Sequence, residues 1–337
     1  MKRKLFFLLF IIISLSACKK GKSKVTENPK LLIYATENKS SELFWQNYSQ
    51  QFTDLFDCDI EWKIFTEPEA LYSDLKSKTD SLNCEVDLVL GLDNLTIKQA
   101  NLDSIFTSVK LSNEVKLLRD FEIYEEHFVP FAYSPIGFIY NVNIHSEYPK
   151  TFGELQDGMY YNRIIVPNPK DTSIGANYLV FTVEAFGRNA YGHFWRSLKD
   201  NIYETPDSFD LAVDKFLAEM GSILIAPISM ENYLNELNEN SYGSFIPIEG
   251  TTEYIEYGAV LENSKHPELA ENFLNYVISD EFQINIFEHK KLFPTNKNIK
   301  LNLEMPKNYK TYKLPYSNAQ LIKQLPYWKK RWEKLVK

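Results

Sequence analysis

The chain of 337 residues carries 44% apolar residues and a formal net charge of −8. This length and apolar share suffice for two domains that each bury a core. The acidic balance argues against nucleic acid as a partner. The histidines and cysteines are scattered without the spacing of metal ligands, so neither a zinc site nor another cofactor is predicted.

The first 17 residues have the composition of a secretory signal. The basic run Lys2-Arg3-Lys4 precedes the apolar run Leu5–Leu15, which only Ser14 interrupts. A run of this length is too short to cross a membrane. Residues 1–17 are therefore predicted to be a signal peptide, and the mature chain is expected outside the cytoplasm.

The next residues indicate how the mature chain is held at the membrane. Leu15-Ser16-Ala17-Cys18 resembles the lipobox of bacterial lipoproteins, which implies that Cys18 carries a lipid after cleavage. The alternative is a plain signal peptide with a chance cysteine. Residues 18–30 are polar and rich in lysine, as expected of a solvated linker. Cleavage takes the formal charge from −8 to −11, a balance that does not repel cationic ligands.

Apolar runs and helical spacing predict an opening β-α-β-α-β unit. The predicted strands are Leu31–Ala35, Asp59–Phe65 and Val86–Leu90, and the predicted helices are Ser41–Leu55 and Glu67–Leu75. This order implies right-handed crossovers and a doubly wound sheet. Ligands bind such sheets beyond the carboxyl ends of the strands, and Asp93 and Asn94 occupy that place after the third strand.

A second α/β set follows a long crossing segment. The crossing is predicted at Phe128–Tyr133 and Gly137–Asn141, and the return at Tyr254–Leu261. Between them the predicted strands are Arg163–Val166, Asn201–Tyr203 and Ser222–Ala226, and the predicted helices are Ile174–Phe186, His193–Leu198 and Ser208–Glu219. This alternation predicts a second α/β lobe.

Amphipathic helices close the chain. Ala270–Ile278 and Glu281–Phe287 are predicted to rejoin the first lobe. The C-terminal helix, Ala319–Val336, carries an apolar stripe of Leu321, Leu325, Trp328 and Trp332. We expect this stripe to pack against the first lobe rather than to bind a partner.

Two cysteines remain in the mature body, Cys58 and Cys84, and each precedes a predicted strand. Outside the cytoplasm they could form a disulfide, but lone buried thiols are also common at such positions. Both alternatives stay open at this point.

Several segments, taken in order, carry a family likeness. They are V-D-L-V-L-G-L-D-N at Val86–Asn94, then Phe128–Phe131, then Ile165–Gly175, and finally Trp328 and Trp332. Together they resemble the bacterial thiamine-binding proteins, which are the extracytoplasmic receptors of thiamine ABC importers. The likeness runs from about Leu31 to Lys337.

The resemblance implies an α/β, type-2 periplasmic-binding-protein fold with two doubly wound lobes around a ligand cleft. Lobe 1 would comprise residues 31–132 and 257–337, and lobe 2 residues 133–256. The lobes would close on thiamine or its phosphate about hinge segments near Tyr133 and Glu256. The implied partner is the permease of an ABC importer, and the expected state is a monomer.

Thiamine combines an aminopyrimidine, a cationic thiazolium and a hydroxyethyl or phosphate tail, so a receptor needs a carboxylate, aromatic faces and donors for the tail. The resemblance implies that Glu67, followed by Pro68, supplies the carboxylate. An acidic helix start is an equally good explanation of these two residues. Thr172 and Ser173 match ligand contacts of the family, and free N–H groups at that helix start would accept a tail. An ordinary N-cap is the alternative, and both roles are compatible.

Other positions of the predicted site depart from the family pattern. Phe209 stands where the family has a Trp against the ligand ring, and it could instead be a buried helix residue. The turn Pro227-Ile228-Ser229 matches a ligand-lining stretch that begins with Tyr in the family, and Tyr233 keeps a family Tyr. Asp93 is expected to face the cleft.

The aromatic enclosure is thinner than the family pattern. Thr36 and Leu43 align with two family aromatics, and Phe44 or Trp45 could substitute for them after a slip in register. This departure leaves room for another small cationic or phosphorylated solute. A thiaminase-like enzyme of the same fold is a remote alternative, because Cys58 and Cys84 are predicted at strand starts, away from the cleft.

Overall fold

The computed structural model describes residues 28–80, 84–101, 104–112, 115–118, 121, 123–301, 309–313 and 317–337. The predicted signal peptide over residues 1–17, the predicted lipid anchor Cys18 and most of the linker over 18–30 lie outside the described residues. Within them, no helix is long and apolar enough to cross a membrane.

Strands of the described residues form one mixed sheet. In chain order, β1 to β10 are Lys30–Thr36, Asp59–Phe65, Leu88–Asp93, Val129–Asn141, Ile164–Ile165, Ile202–Glu204, Ile223–Pro227, Tyr242–Phe245, Glu253–Val260 and Phe293–Pro294. They lie in the order β2-β1-β3-β9-β4-β7-β5-β6, while β8 and β10 each pair with β4.

Helices cover this sheet. In chain order, α1 to α10 are Phe44–Tyr48, Gln50–Phe56, Pro68–Asp80, Thr96–Ala100, Ser173–Leu198, Phe209–Leu217, Met230–Leu237, Pro267–Val277, Asp280–Asn285 and Asn318–Val336. We call the part built on β2-β1-β3-β9, with α1–α4, α8 and α9, the first half. The part built on β7-β5-β6, with α5–α7, is the second half.

The first half contains the predicted β-α-β-α-β unit. Strand β1 pairs in parallel with both β2 and β3, which is the arrangement that right-handed crossovers produce. Strand β3 is buried along its whole length, as expected of a strand covered on both faces. Antiparallel β9 closes its far edge.

Strand β4 joins the two halves. Residues Val129–Pro135 pair with β9, whereas residues Ile136–Tyr140 pair with β7. The change of partner falls between Pro135 and Ile136, inside the segment that the sequence predicts as the first crossing. The return strand β9 lies between β3 and β4 and pairs with both of them.

The second half repeats the α/β alternation around α5. This helix has its predicted break, since Gly187 adopts φ +83° and separates two helical parts. A glycine tolerates this left-handed conformation because it has no Cβ. Helices α5 and α6 pack against β7, which is buried along its whole length.

One predicted helix is broken in the structure. The sequence predicts a continuous helix over Ser41–Leu55, but Leu43 adopts φ +62° and separates a short 3₁₀ turn from α1 and α2. The Glu37 carboxylate accepts hydrogen bonds from the backbone N–H groups of Leu43 and Trp45, at 3.2 and 2.8 Å. These bonds replace helical ones and start α1 at Phe44.

The C-terminal helix α10 buries its apolar stripe as predicted, but not only against the first half. The ring of Trp332 packs edge-on against Trp195 of α5, with centroids 5.7 Å apart. The Arg331 guanidinium lies 4.9 Å from the ring centroid of Tyr191, also on α5. The expectation that this helix packs against the first lobe is therefore wrong for its C-terminal turns, because these turns contact aromatic residues of α5.

Cys58 and Cys84 are both free thiols. Cys58 is buried and Cys84 is partly buried. Burial raises the pKa of both thiols. Of the two alternatives, the structure shows lone thiols rather than a disulfide.

We predict that Gly91→Ala destabilises the fold by about 3 kcal/mol, because left-handed strain and overpacking add. Gly91 adopts φ +104° at a bulge in β3, and an added Cβ would overlap the Thr36 hydroxyl. Urea unfolding followed by tryptophan fluorescence measures this loss. Gly158→Ala is the matched control, since its Cβ meets nothing within 4 Å. Equal stabilities of the two variants would contradict the prediction.

Candidate functional site

A cavity lies between the two halves, beyond the carboxyl ends of β1 and β2. This is the position where open α/β sheets bind ligands. The first half contributes Thr36, Glu37, Asn38, Thr66, Glu67, Pro68, Tyr254, Glu256, Lys290, Lys291 and Leu292. The second half contributes Ser173, Ile174, Phe209, Pro227 and Met230. The structure thus brings Glu67, Pro68, Ser173, Phe209 and Pro227 of the predicted site into one cavity.

Glu67 is a carboxylate of the cavity that, like Glu37, has no ion-pair partner among the described residues. It lies between β2 and α3, and its Oε2 accepts a hydrogen bond of 2.8 Å from the backbone N–H of Ser173 across the cleft. Burial raises the pKa of Glu67 to about 8, and the nearby Asp93 and Asp210 add to this shift. The Ser173 N–H and the charge of Lys329 oppose it. Glu67 is therefore available to a ligand that brings a positive charge or a donor.

Pro68 fills the role that its position predicts. Helix α3 begins at Pro68, whose missing N–H costs nothing in the first turn. Pro68 is buried and sets the direction in which α3 leaves the cavity. Its neighbour Glu69 is exposed in the first turn of the same helix. The acidic helix start and the cavity position of Glu67 thus coexist.

Asp93 lies behind the cavity and ties the two halves together. Its Oδ1 accepts hydrogen bonds from the N–H groups of Leu95 and Thr96 and from the Thr96 hydroxyl, at 3.2, 2.8 and 2.7 Å. Its Oδ2 accepts from the Ser173 hydroxyl and, at 2.6 Å, from Asn177 Nδ2 of α5. Asp93 is only 1% exposed. Both of its oxygens are thus occupied by protein donors, and it holds Ser173 in place beside Glu67.

Thr172 is the N-cap of α5. Its hydroxyl oxygen accepts a hydrogen bond of 3.2 Å from the N–H of Gly175 and donates one of 2.9 Å to the carbonyl of Asn168. Thr172 is buried and does not line the cavity. The structure therefore gives the two adjacent residues different roles: Thr172 caps the helix, and Ser173 lines the cavity.

The second half supplies an apolar wall. Phe209 begins α6, Pro227 ends β7 and Met230 begins α7, and all three line the cavity. Ile228 and Ser229 are buried behind Pro227, where the Ser229 N–H donates to the hydroxyl oxygen of Ser134 at 3.2 Å. The predicted turn thus contributes one lining residue and two supporting ones.

Tyr233 lies in a neighbouring cavity rather than in this one. That cavity is bordered by α6 and α7 and shares Phe209 and Met230 with the first. The Lys291 ammonium lies 5.7 Å from the Tyr233 ring centroid. Tyr233 therefore lines the neighbouring cavity, and its ring contacts the Lys291 ammonium.

The sequence analysis did not predict the buried ion pair that lines the cavity. The Lys290 Nζ lies 3.0 Å from Glu256 Oε2 and donates to the carbonyl of Thr36 at 3.2 Å, and the side chains of Lys290 and Glu256 are 3% and 7% exposed. The same ammonium lies 5.3 Å from the Trp45 ring. In sequence, Lys290 belongs to a polar run that is typical of a solvated surface.

The sequence of strand β9, beside this pair, contains a pattern that could have indicated the buried polar environment. Tyr254 and Glu256 are two residues apart on β9, so their side chains share one face of the sheet. The Tyr254 hydroxyl lies 3.4 Å from Glu256 Oε1. Burial raises the pKa of Glu256, while Lys290 opposes that shift. A polar pair at this spacing on a return strand indicates a common environment.

Neither aromatic residue that could restore the family enclosure lines the cavity. Phe44 and Trp45 are fully buried, and the Trp45 ring stacks on Trp62 with centroids 5.8 Å apart. The Trp45 Nε1 donates to the carbonyl of Thr36 at 3.1 Å. Leu43 is 53% exposed. The aromatic surface offered to a ligand in this cavity comes from Phe209 and Tyr254.

Polar contacts also join the halves at the rim of the cleft. The Lys39 N–H donates to Asp210 at 3.0 Å, and its ammonium pairs with Asp214 at 2.7 Å. The Lys291 ammonium pairs with Glu236 at 2.7 Å. Exposed pairs such as these contribute little stability individually.

The arrangement can enclose a small polar solute between two halves of a sheet. Three carboxylates and two ammonium groups line the cavity, and the described residues hold no cluster of side chains that could bind a metal ion. Fold and site together define a two-lobed solute-binding protein. The family model of the bacterial extracellular solute-binding proteins matches residues 86–320. The chain belongs to this family.

Curated relatives are similar over most of their length. The thiamine-binding periplasmic protein of Salmonella typhimurium is 25% identical over 287 residues, which cover 83% of this chain and 85% of that protein. The thiamine-binding periplasmic protein of Brucella melitensis is 25% identical over 301 residues, covering 88% and 86%.

Solved structures show the same fold. A periplasmic thiamin binding protein superimposes with a TM-score of 0.77 at 22% identity, over 92% of this chain and 97% of that one. Iron-bound HitA from Pseudomonas aeruginosa superimposes with a TM-score of 0.74 at 13% identity, over 90% and 99%. AfuA from Actinobacillus pleuropneumoniae, with fructose-6-phosphate bound, gives 0.70 at 14%, over 91% and 96%. The predicted type-2 periplasmic-binding-protein fold is thereby confirmed.

We predict that Asp93→Asn destabilises the protein by about 3 kcal/mol, because an amide nitrogen would face donors that now bind a buried carboxylate. Urea unfolding measures this change. Asp59→Asn, at an exposed position that starts β2, is the control and should change stability by less than about 0.5 kcal/mol. A loss at Asp93 no larger than the control's would show that the cross-cleft bonds contribute nothing.

Proposed function

We propose that this chain is the thiamine receptor of an ABC importer, a lipoprotein held outside the cytoplasm through Cys18. It takes thiamine or a thiamine phosphate into the cavity and passes it to the permease as a monomer. Its lobes would be residues 31–132 with 257–337 and residues 133–256, closing about the segments near Tyr133 and Glu256. The relatives named as thiamine-binding proteins support this proposal.

The observation that carries the proposal is the environment of Glu67. This carboxylate lines the cavity without an ion-pair partner among the described residues, while Lys290 neutralises Glu256 and the N–H groups of Leu43 and Trp45 satisfy Glu37. The lining has three carboxylates and two ammonium groups, and one of these ammonium groups, on Lys291, is already paired with Glu236 outside the lining, so the cavity favours a cationic ligand. Thiamine brings that charge on its thiazolium and an amino group as donor on its pyrimidine.

Ring surfaces in the cavity suit a flat cation. Phe209 and Tyr254 come from opposite halves, and Pro227 and Met230 extend the apolar wall. A cation over an aromatic face gains about 0.5 to 2 kcal/mol, depending on its desolvation. Closure of the cleft removes water, so the interaction energy between cation and ring is expected at the stronger end of that range.

A second candidate is another small cationic solute. The observation that favours it is the position of Lys290, whose ammonium already lies 5.3 Å from the Trp45 ring and 5.9 Å from the Phe44 ring. These aromatic residues are therefore not available to a ligand cation. A compact cation needs fewer ring contacts than thiamine.

The geometry supports a binding protein rather than an enzyme. Cys58 precedes β2 and Cys84 precedes β3, at the opposite strand ends from the cavity. Burial raises the pKa of both thiols, whereas a nucleophilic cysteine needs a lowered pKa. Among the residues that the structure describes, a thiaminase-like reaction therefore has no candidate cysteine nucleophile at this site.

We predict that the mature chain binds thiamine and that Glu67→Gln weakens this binding at least about tenfold, because a charged hydrogen bond becomes neutral. Titration calorimetry measures both affinities. Glu61→Gln removes the same charge from a surface side chain that is 57% exposed, and it should bind like the unmodified protein. Absence of heat and of a thermal shift with thiamine and with both of its phosphates would reject the proposed function.

We also predict that thiamine binding strengthens as the pH rises from about 6 to 8. The pKa of Glu67 is raised to about 8, so below this pH the free receptor holds a proton that a bound cation expels. The affinity should change by up to about tenfold per pH unit and level off above the pKa. Calorimetry in buffers of different ionisation enthalpy counts the released proton. Glu67→Gln should remove this dependence, and an unchanged dependence in that variant would assign the proton to another group.

A further inference from the structure

We propose, building on the proposed function, that this receptor selects unphosphorylated thiamine and discriminates against its phosphate esters. The reason is that the anion site offered by the fold is already occupied by the Glu67 carboxyl group. The sequence left the phosphorylation state of the ligand open, and the contacts across the cleft now decide between the forms.

The N-terminus of α5 is the place where a phosphate tail would be expected to bind. Free N–H groups and the helix dipole attract anions there. In the structure, however, the Ser173 N–H donates to Glu67 Oε2 at 2.8 Å, and the Ser173 hydroxyl donates to Asp93. The Gly175 N–H is bound by the Thr172 hydroxyl at 3.2 Å. A phosphate could reach Ser173 only by displacing Glu67, whether this carboxyl is protonated or not.

The ammonium groups of the cavity are engaged as well. Lys290 is held by Glu256 and by the carbonyl of Thr36. Lys291 is held by Glu236 and by the carbonyl of Glu288, both at 2.7 Å. A phosphate that drew Lys290 away would leave the buried carboxylate of Glu256 without its partner, which is costly. The pair of Lys291 with the exposed Glu236 is the weaker of the two.

A tail that extends past Glu67 meets further negative charge. A second cavity shares Thr66, Glu67 and Ser173 with the first and is bordered by α10. Five carboxylates and two ammonium groups line it, and one of these ammonium groups, on Lys170, is paired with Glu333 at 3.2 Å. An uncharged hydroxyethyl group fits this surrounding, whereas a phosphate with nearly two negative charges at pH 8 is repelled.

Titration calorimetry at pH 8 with thiamine, thiamine monophosphate and thiamine diphosphate tests the proposal. We expect the monophosphate to bind at least about tenfold more weakly than thiamine and the diphosphate to bind more weakly still. Equal or tighter binding of either phosphate would overturn the selectivity and leave the proposed function standing. Absence of binding by all three compounds would reject the proposed function, and the selectivity would fall with it.

Variants of Glu67 test the cause of the selectivity. Glu67→Ala vacates the helix N-terminus, so the ratio of the monophosphate to the thiamine dissociation constant should fall at least about tenfold. Glu67→Gln keeps the position filled without the charge and should give an intermediate ratio. Glu61→Gln, which changes a charge on the surface, should leave the ratio unchanged. An unchanged ratio in Glu67→Ala would overturn the proposal, and if that variant does not fold, the ratio in Glu67→Gln decides.

Discussion

The structure depends on how the N-terminus of α5 is held by the opposite half of the protein. Glu67, which follows β2, takes the backbone N–H of Ser173, and Asp93 at the end of β3 takes its hydroxyl. Asp93 also binds Asn177 one turn further along α5. The positive end of a helix favours such carboxylates, and burial strengthens the interaction. One set of contacts therefore joins the halves, orients Glu67 toward the cavity and occupies the site where an anion would otherwise bind.

Some charged side chains of the cavity are paired with each other, and others are not. Lys290 and Glu256 neutralise each other inside the cleft, so they shape the cavity without offering a net charge. Glu67 has no such partner among the described residues, and we propose that it binds the ligand. Solved structures of this fold include proteins described with iron and with fructose-6-phosphate bound, so the fold does not determine the ligand. The few lining side chains do, and in the function that we propose they favour a positive charge.

Much of the fold could be predicted from local patterns, because buried strands and amphipathic helices have recognisable periods. The opening β-α-β-α-β unit, the crossing at β4 and the break of α5 at Gly187 were all anticipated, and comparison confirmed the type-2 fold. The continuous helix over Ser41–Leu55 was wrong because Glu37 binds N–H groups further along the chain, an interaction that no helical period encodes. The predicted placement of α10 was wrong in part, because an apolar stripe shows that a helix is packed against something but does not show which element it packs against.

For the candidate site, the sequence by itself determined the residues that stand at element ends. Glu67, Pro68, Ser173, Phe209 and Pro227 were expected from the family resemblance, and all of them lie where strands stop or helices start, at the edge of the sheet where ligands bind. Only the tertiary structure decided that Thr172 serves as a cap, that Asp93 is an anchor and that Lys290 is a buried cation of the cleft. The physical reason is that burial and charge pairing arise between segments far apart in the chain. From sequence alone a lysine is predicted to be solvated, and only the fold shows that a carboxylate lies beside it.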